Sequence, residues 1–161
     1  MIIIGSDHTG IELKKKIINY LYENHIEYAD VTNYKNQDGD DYPDIAFTVC
    51  SKVLENTNNL GIAICGTGIG ISIACNKIRG IRAAVCTDRY MAEMTRHDNN
   101  ANVLCLGARL DISKEINKVE EIVGAFIHTF YDGGRHDRRI NKIKKLEDIN
   151  IGEEKNYDNN L

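Results

Sequence analysis

The 161-residue sequence predicts an α/β fold on three observations: short β-rich runs alternate with amphipathic stretches, one of those runs is apolar throughout, and a glycine-rich turn joins that run to a helical segment. Alternation of this kind builds a parallel sheet with helices on both faces, joined by right-handed crossovers, and ligands then gather at the carboxyl ends of the strands. Met1 to Gly5 is the first strand and runs into the polar trio Ser6, Asp7, His8. Leu13, Ile17 and Leu21, widened by Ile11 and Ile18, mark the buried face of the next helix, while Lys14, Lys15 and Lys16 fall largely outside it. Tyr28 to Val31 reads as the second strand, and Asn33 to Tyr42, crowded with Asn, Asp, Gly and Lys, as a loop. Pro43, the chain's only proline, suits the first turn of a helix whose apolar face is Ile45, Val49, Val53 and Leu54. Leu60 to Cys65 is the continuous apolar run of a strand buried on both faces, and it empties into Gly66-Thr67-Gly68-Ile69-Gly70 before a helix. Ile81 to Cys86 and Asn102 to Leu106 are the fourth and fifth strands, flanking a helical stretch from Asp88 to His97. Ile112 to Phe130 and Arg135 to Leu146 are the last two helices, the second preceded by Gly133-Gly134. Residues 1–149 form one domain, and the polar, acidic residues 150–161 are expected to be a frayed tail.

With 20 Lys+Arg against 24 Asp+Glu the formal charge is −4, which argues against broad nucleic-acid binding. An anionic ligand must then be held by a local cluster of cations. No apolar run approaches the ~18 residues a membrane span requires, and the first residues lack the basic flank and cleavage site of a secretion signal. The five cysteines, at 50, 65, 75, 86 and 105, are odd in number and form no Cys-x-x-Cys pair, so they fit neither a disulfide framework nor a zinc knuckle. A reducing cytoplasm is the expected location. Four of the cysteines sit in apolar or helical runs and read as small core hydrophobes.

Cys65 differs because it ends the apolar strand where glycines open the next helix. Backbone N–H groups of such a turn can converge on an anion, and the same field favours a thiolate. A base beside an oxyanion site is what proton abstraction next to a carbonyl requires. The competing reading is a plain strand-to-helix turn around an inert thiol. Dinucleotide binding fits less well, since the spacing is G-x-G-x-G rather than G-x-G-x-x-G and follows the third strand. Asp7 and His8 follow the first strand and so reach the same sheet edge as Cys65, although Asp7 or Ser6 could simply cap a helix. Arg135 and Arg139 share one helix face and can clamp a phosphate, or belong to a solvated basic face with His136, Arg138, Lys142, Lys144 and Lys145. His97-Asp98-Asn99-Asn100 falls at a helix end, where such groups commonly cap. No His/Cys/Asp/Glu spacing resembles a metal site, and no Ser–His pair sits at a nucleophile elbow.

GSDHTG at 5–10, DYPD at 41–44, ICGTGIGISIACNKIRGIRAAVC at 64–86, NNANVLCLGAR at 99–109 and YDGGRHDRR at 131–139 together resemble the type B ribose-5-phosphate isomerase and galactose-6-phosphate isomerase family, nearly throughout the chain to about residue 149. The resemblance implies a Rossmann-like, flavodoxin-type three-layer α/β/α sandwich with a five-stranded parallel sheet. It also implies a homodimer, or a tetramer, whose active sites are shared between subunits, with no cofactor and no metal. By position, Cys65 would move a proton between C1 and C2, and the backbone of Gly66, Gly68, Ile69 and Gly70 would hold the enediolate, with Thr67 assisting at oxygen or in ring opening. Asp7 would bind sugar hydroxyls, His8, Arg135 and Arg139 the phosphate, and Tyr42 would line the pocket. The partner chain would deliver His97, Asp98 and Asn99, together with Arg109. One departure stands out: family members usually carry His directly before the Asn pair, whereas here Asp98 holds that position and His97 precedes it. Three substrate readings stay open: a ribose 5-phosphate isomerase, a hexose 6-phosphate isomerase acting on galactose or allose 6-phosphate, and a non-catalytic sugar-phosphate or nucleotide sensor.

Overall fold

A computed structural model of the chain describes residues 1–32 and 41–148. Most of the expected loop from Asn33 to Tyr42, and the tail from 150 onward, lie outside the described residues. Five strands, β1 (Ile2–Ser6), β2 (Tyr28–Asp30), β3 (Leu60–Cys65), β4 (Ala83–Val85) and β5 (Val103–Gly107), pair in parallel in the order β2-β1-β3-β5-β4. Six helices alternate with them: α1 (Ile11–Glu23), α2 (Tyr42–Leu54), α3 (Ile69–Cys75), α4 (Arg89–Asn99), α5 (Ile116–His128) and α6 (Arg135–Glu147). This is the expected Rossmann-like parallel α/β architecture. Its strand order refines the flavodoxin-type expectation, because flavodoxin sheets run 2-1-3-4-5 and here β5 lies between β3 and β4.

Strand alternation sorts the core into two layers. Ile2, Ile4, Ile62, Ile64, Leu104 and Leu106 face α1, α4 and α5, whose Leu13, Ile17, Ala92, Ile122 and Phe126 complete that cluster. Ile3, Ala63, Cys65, Val103 and Cys105 face the other way, against Val49, Cys50 and Val53 of α2 and Ile71 and Cys75 of α3. Each isoleucine or leucine sealed here contributes ~2 kcal/mol of apolar burial. Lys14 departs from its expected place outside the buried stripe of α1. It is fully buried, and its Nζ lies 2.7 Å from Asp30 Oδ1 and 2.6 Å from Thr32 Oγ1, so an ion pair and a hydroxyl offset its desolvation.

Two boundaries differ from the periodicity reading for identifiable reasons. The fifth helix begins at Ile116 rather than Ile112, because Asp111–Lys114 forms a separate 3-10 turn. Ser113 Oγ donates to the Gly107 carbonyl at 2.6 Å, a local bond that ties this turn to the end of β5 in competition with a longer helix. β4 is shorter than its apolar run, since Arg82 N–H donates to the Asn102 side chain at 2.8 Å where a strand ladder would otherwise continue.

Candidate active site

The ends of β1, β3 and β5 meet at one sheet edge, as parallel pairing demands. Asp7, His8, Thr9, Tyr42, Cys65, Gly66, Thr67, Gly70 and Arg109 line a cleft of about 320 Å³ there. Cys65 is only 4% exposed, yet its sulfur faces the loop: Gly68 N–H donates to Sγ at 3.2 Å. The sulfur is therefore oriented toward the glycine-loop amides rather than away from them. Cys50, Cys75 and Cys105 are fully buried in the core, and burial pushes the Cys86 thiol up to about 12, so those four sulfurs belong to packing as expected.

The glycines have distinct tasks. Gly68 lies at φ +76°, the left-handed region, and a methyl placed there would sit 3.0 Å from the Leu106 carbonyl carbon and 3.1 Å from Gly107 N. Strain at such a backbone position costs ~1–2 kcal/mol before any contact is counted. Gly68→Ala is expected to lower stability by ~2 kcal/mol and to pull the amide away from Cys65. A denaturation midpoint equal to that of the unmodified chain contradicts this. Gly70 permits the Tyr42 ring to lie against the loop, since an added methyl would approach its Cζ to 2.9 Å. Tyr42 thus reaches the cleft from the first turn of α2, beside Pro43.

Asp7 is buried, and its Oδ1 accepts from Thr9 N–H at 2.9 Å and from the Thr9 hydroxyl at 2.6 Å, so it caps the 3-10 turn His8–Gly10 while lining the cleft. Capping and a position at the Cys65 edge are thus compatible in Asp7. Thr9 joins the cleft as well, and its sequence signal is the Asp-x-Thr spacing of a local turn. Thr67 Oγ1 accepts from Ile69 N–H at 3.3 Å, which fixes the hydroxyl at the cleft wall. Arg109 lies at the cleft of its own chain, where the resemblance implies the partner's copy. Its N–H donates to the Gly66 carbonyl at 2.9 Å, and its exposed guanidinium turns back over Gly66.

His97, Asp98, Asn99, Arg135 and Arg139 lie elsewhere. α4 starts just after the carboxyl end of β4 and returns the chain to the amino end of β5, so its last turn lies at the opposite sheet edge, about 16 Å away along its 11 residues. Asn100, at φ +46°, stops the helix, and the Asn99 and Asn100 carbonyls accept from the Arg82 guanidinium. Gly133 and Gly134, both at positive φ, turn the chain so that α6 begins beside this end of α4, and Asp132 N–H donates to the His97 carbonyl at 3.1 Å. His136 is 4% exposed, not part of a solvated basic face; its Nε2 lies 3.2 Å from Arg135 Nε and 3.3 Å from Asp98 Oδ1. The i, i+4 pairing of His136 with buried Ile140 is the sequence signal for its burial. Arg135 and Arg139 are exposed, and among the described residues neither pairs with a carboxylate, which leaves two cations for an anion.

His97, Asp132 and His136 offer ligand atoms within 4.8 Å of one another, a grouping that linear spacing did not reveal. The Arg135 guanidinium beside His136 opposes a bound cation there, so the cluster reads as a hydrogen-bonded hub.

A parallel α/β sheet with a thiol, a glycine loop and an arginine at its carboxyl edge defines a small-molecule enzyme of the Rossmann-like class. The chain belongs to the ribose/galactose isomerase family, whose model matches residues 2–143. It is 42% identical over 146 residues to a probable ribose-5-phosphate isomerase B of Mycoplasma pneumoniae, covering 91% of this chain and 94% of that one. It is 41% identical to ribose-5-phosphate isomerase B of Escherichia coli over 91% of this chain and 95% of the relative. The crystal structure of ribose-5-phosphate isomerase B from Mycoplasma genitalium with bound ribulose-5-phosphate superposes with a TM-score of 0.85 at 41% identity, over 92% of this chain and 97% of that one.

Proposed function

We propose that the protein interconverts ribose 5-phosphate and ribulose 5-phosphate through a cis-enediolate, without a cofactor, as a homodimer with shared active sites. The observation that carries this reading is the Cys65 sulfur within hydrogen-bond reach of a glycine-loop amide, in a cleft that also holds Asp7, Thr67 and Arg109. The Cys65 thiolate takes the C2 proton of the open-chain aldose as electrons move into the C1 carbonyl, and the amides of Gly66, Gly68, Ile69 and Gly70 stabilise the charge on oxygen. The thiol then returns its proton to C1 while Thr67 relays the hydroxyl proton from O2 to O1, so atoms and charge balance. Asp7 orients sugar hydroxyls, Tyr42 walls the pocket, and His8 and Arg109 take the phosphate end with the partner's Arg135 and Arg139.

Topology supports sharing: a sugar phosphate cannot touch both sheet edges of one chain, whereas a second copy can bring its α4–α6 end to the first copy's cleft. Phe47, Ile69 and Ile73 are 66%, 58% and 57% exposed on α2 and α3 beside the cleft, an apolar surface suited to a subunit interface. The five cysteines are all free, which supports a reducing cytoplasm; among the described residues no helix is long and apolar enough to cross a membrane.

The test is a coupled assay on a panel of pentose and hexose phosphates, run beside a binding titration. Ribose 5-phosphate is expected to turn over, and free ribose to be at least ~100-fold worse in kcat/KM, because remote phosphate contacts hold C1 and C2 against the base. Comparable turnover of the two sugars contradicts the phosphate assignment. Preference for galactose or allose 6-phosphate redirects the substrate to a hexose, and binding without conversion identifies a sensor.

A further inference from the structure

His97 and Asp98, whose order differs from the one the family resemblance implies, belong to a hydrogen-bonded cluster at the opposite sheet edge. His97 Nδ1 donates to Asp98 Oδ1 at 3.0 Å, and Asp98 Oδ1 lies 3.3 Å from Nε2 of the buried His136. The two imidazoles meet edge to face, with ring centroids 6.3 Å apart. His97 and Asp98 remain 40% and 38% exposed, so a ligand can reach them, while His97 Nε2 points to the Asp132 side, 3.8 Å from its carboxylate. We infer that Asp98 is a positioning residue that makes His97 the ring-opening group of the shared active site. The inference rests on the isomerase reading above and deepens it.

The chemistry follows from which nitrogen Asp98 occupies. A carboxylate can only accept, so neutral His97 carries its proton on Nδ1 and presents a bare Nε2, the arrangement in which a carboxylate holds an imidazole ready as a base. Nε2 takes the proton of the anomeric hydroxyl. As C1=O1 forms, the bond from C1 to the ring oxygen breaks, and the same proton is delivered to that oxygen, which restores His97. Asp98 is the weaker base toward that proton. Its hydrogen bond from His97, with His136 nearby, holds its carboxyl below the ordinary carboxylate range, whereas the bond to Asp98 and the charge of Asp132 raise His97. The groups facing His97 are Asp98 on its own helix, Asp132 on the loop before α6, and His136 and Arg135 on α6. Of these, Arg135 opposes the rise.

Ribulose 5-phosphate provides the separating measurement. Its O5 is phosphorylated, so it forms no furanose ring, and deuterium wash-in from D2O at C1 needs only the Cys65 half of the chemistry. Asp98→Asn and His97→Gln in the full-length protein are each expected to slow conversion of ribose 5-phosphate at least ~10-fold while wash-in into ribulose 5-phosphate falls less than ~2-fold. Removing the carboxylate lowers the His97 pKa, so in Asp98→Asn the acid limb of the ribose 5-phosphate profile is expected to move to lower pH; Asp98→Glu restores part of the rate. Equal losses in both reactions, or an unmoved acid limb, would overturn the assignment of Asp98 and leave the isomerase reading standing. If the unmodified chain neither converts ribose 5-phosphate nor exchanges ribulose 5-phosphate, both fall together.

Discussion

Cys65→Ala is expected to abolish isomerisation, with kcat down by ~10³ or more, because a positioned base contributes ~10²–10⁴ and alanine leaves no group that can accept the C2 proton. Deuterium exchange at C1 of ribulose 5-phosphate should disappear with it. The fold should survive. Cysteine to alanine removes one sulfur from a site bounded on one side by a cleft, and the loop keeps Gly68 in its left-handed conformation, so the expected cost is ~1 kcal/mol. Thermal melting and exchange rates, measured on one sample, separate loss of chemistry from loss of structure. Exchange at the rate of the unmodified protein would falsify the base assignment, and it would move attention to Asp7, the other buried ionisable group in the cleft.

The second large effect concerns the division of the site between chains. Cys65→Ala and Arg139→Ala proteins are each expected to be nearly inactive alone, since one lacks the base and the other part of the phosphate clamp. Mixed and refolded together at equal concentration, they form heterodimers in which both defects fall in one site and the other site is intact. About half of random dimers are mixed, so activity is expected to recover to about one quarter of that of the unmodified protein. No recovery, with mixed dimers demonstrated by mass, would mean that each site is built within a single chain. The expectation depends on topology rather than on any single contact: Cys65 closes β3 at one sheet edge, while α4 and Gly133-Gly134 deliver His97, Arg135 and Arg139 to the other.

How much of this could be read in the chain beforehand differs by residue. β3 is found where its apolar run predicts, Leu60 to Cys65, because a strand buried on both faces has no polar positions to blur its ends. β4 is overestimated because an edge strand's limit is decided by a side chain far along the chain, Asn102, which takes the Arg82 amide. A solvated face is one of the two sequence readings around His136 because basic residues dominate the local pattern; the approach of α4 buries it. Lys14 escaped for the same reason: its partners, Asp30 and Thr32, are brought to it by the pairing of β2 with β1.

By itself the sequence determined the parallel α/β class, the limits of the central strand, the position of the Cys65-glycine junction and the family. These depend on local periodicity and on residue types that follow one another in the chain. Tertiary structure decided the order β3-β5-β4, the approach of Arg109 to its own glycine loop, and the separation of Cys65 and its glycine loop from His97, Arg135 and Arg139 onto opposite sheet edges. It also joined His97, Asp98, Asp132 and His136 into one cluster. Those outcomes depend on contacts between residues distant in sequence, whose geometry is set only when the helices pack on the sheet.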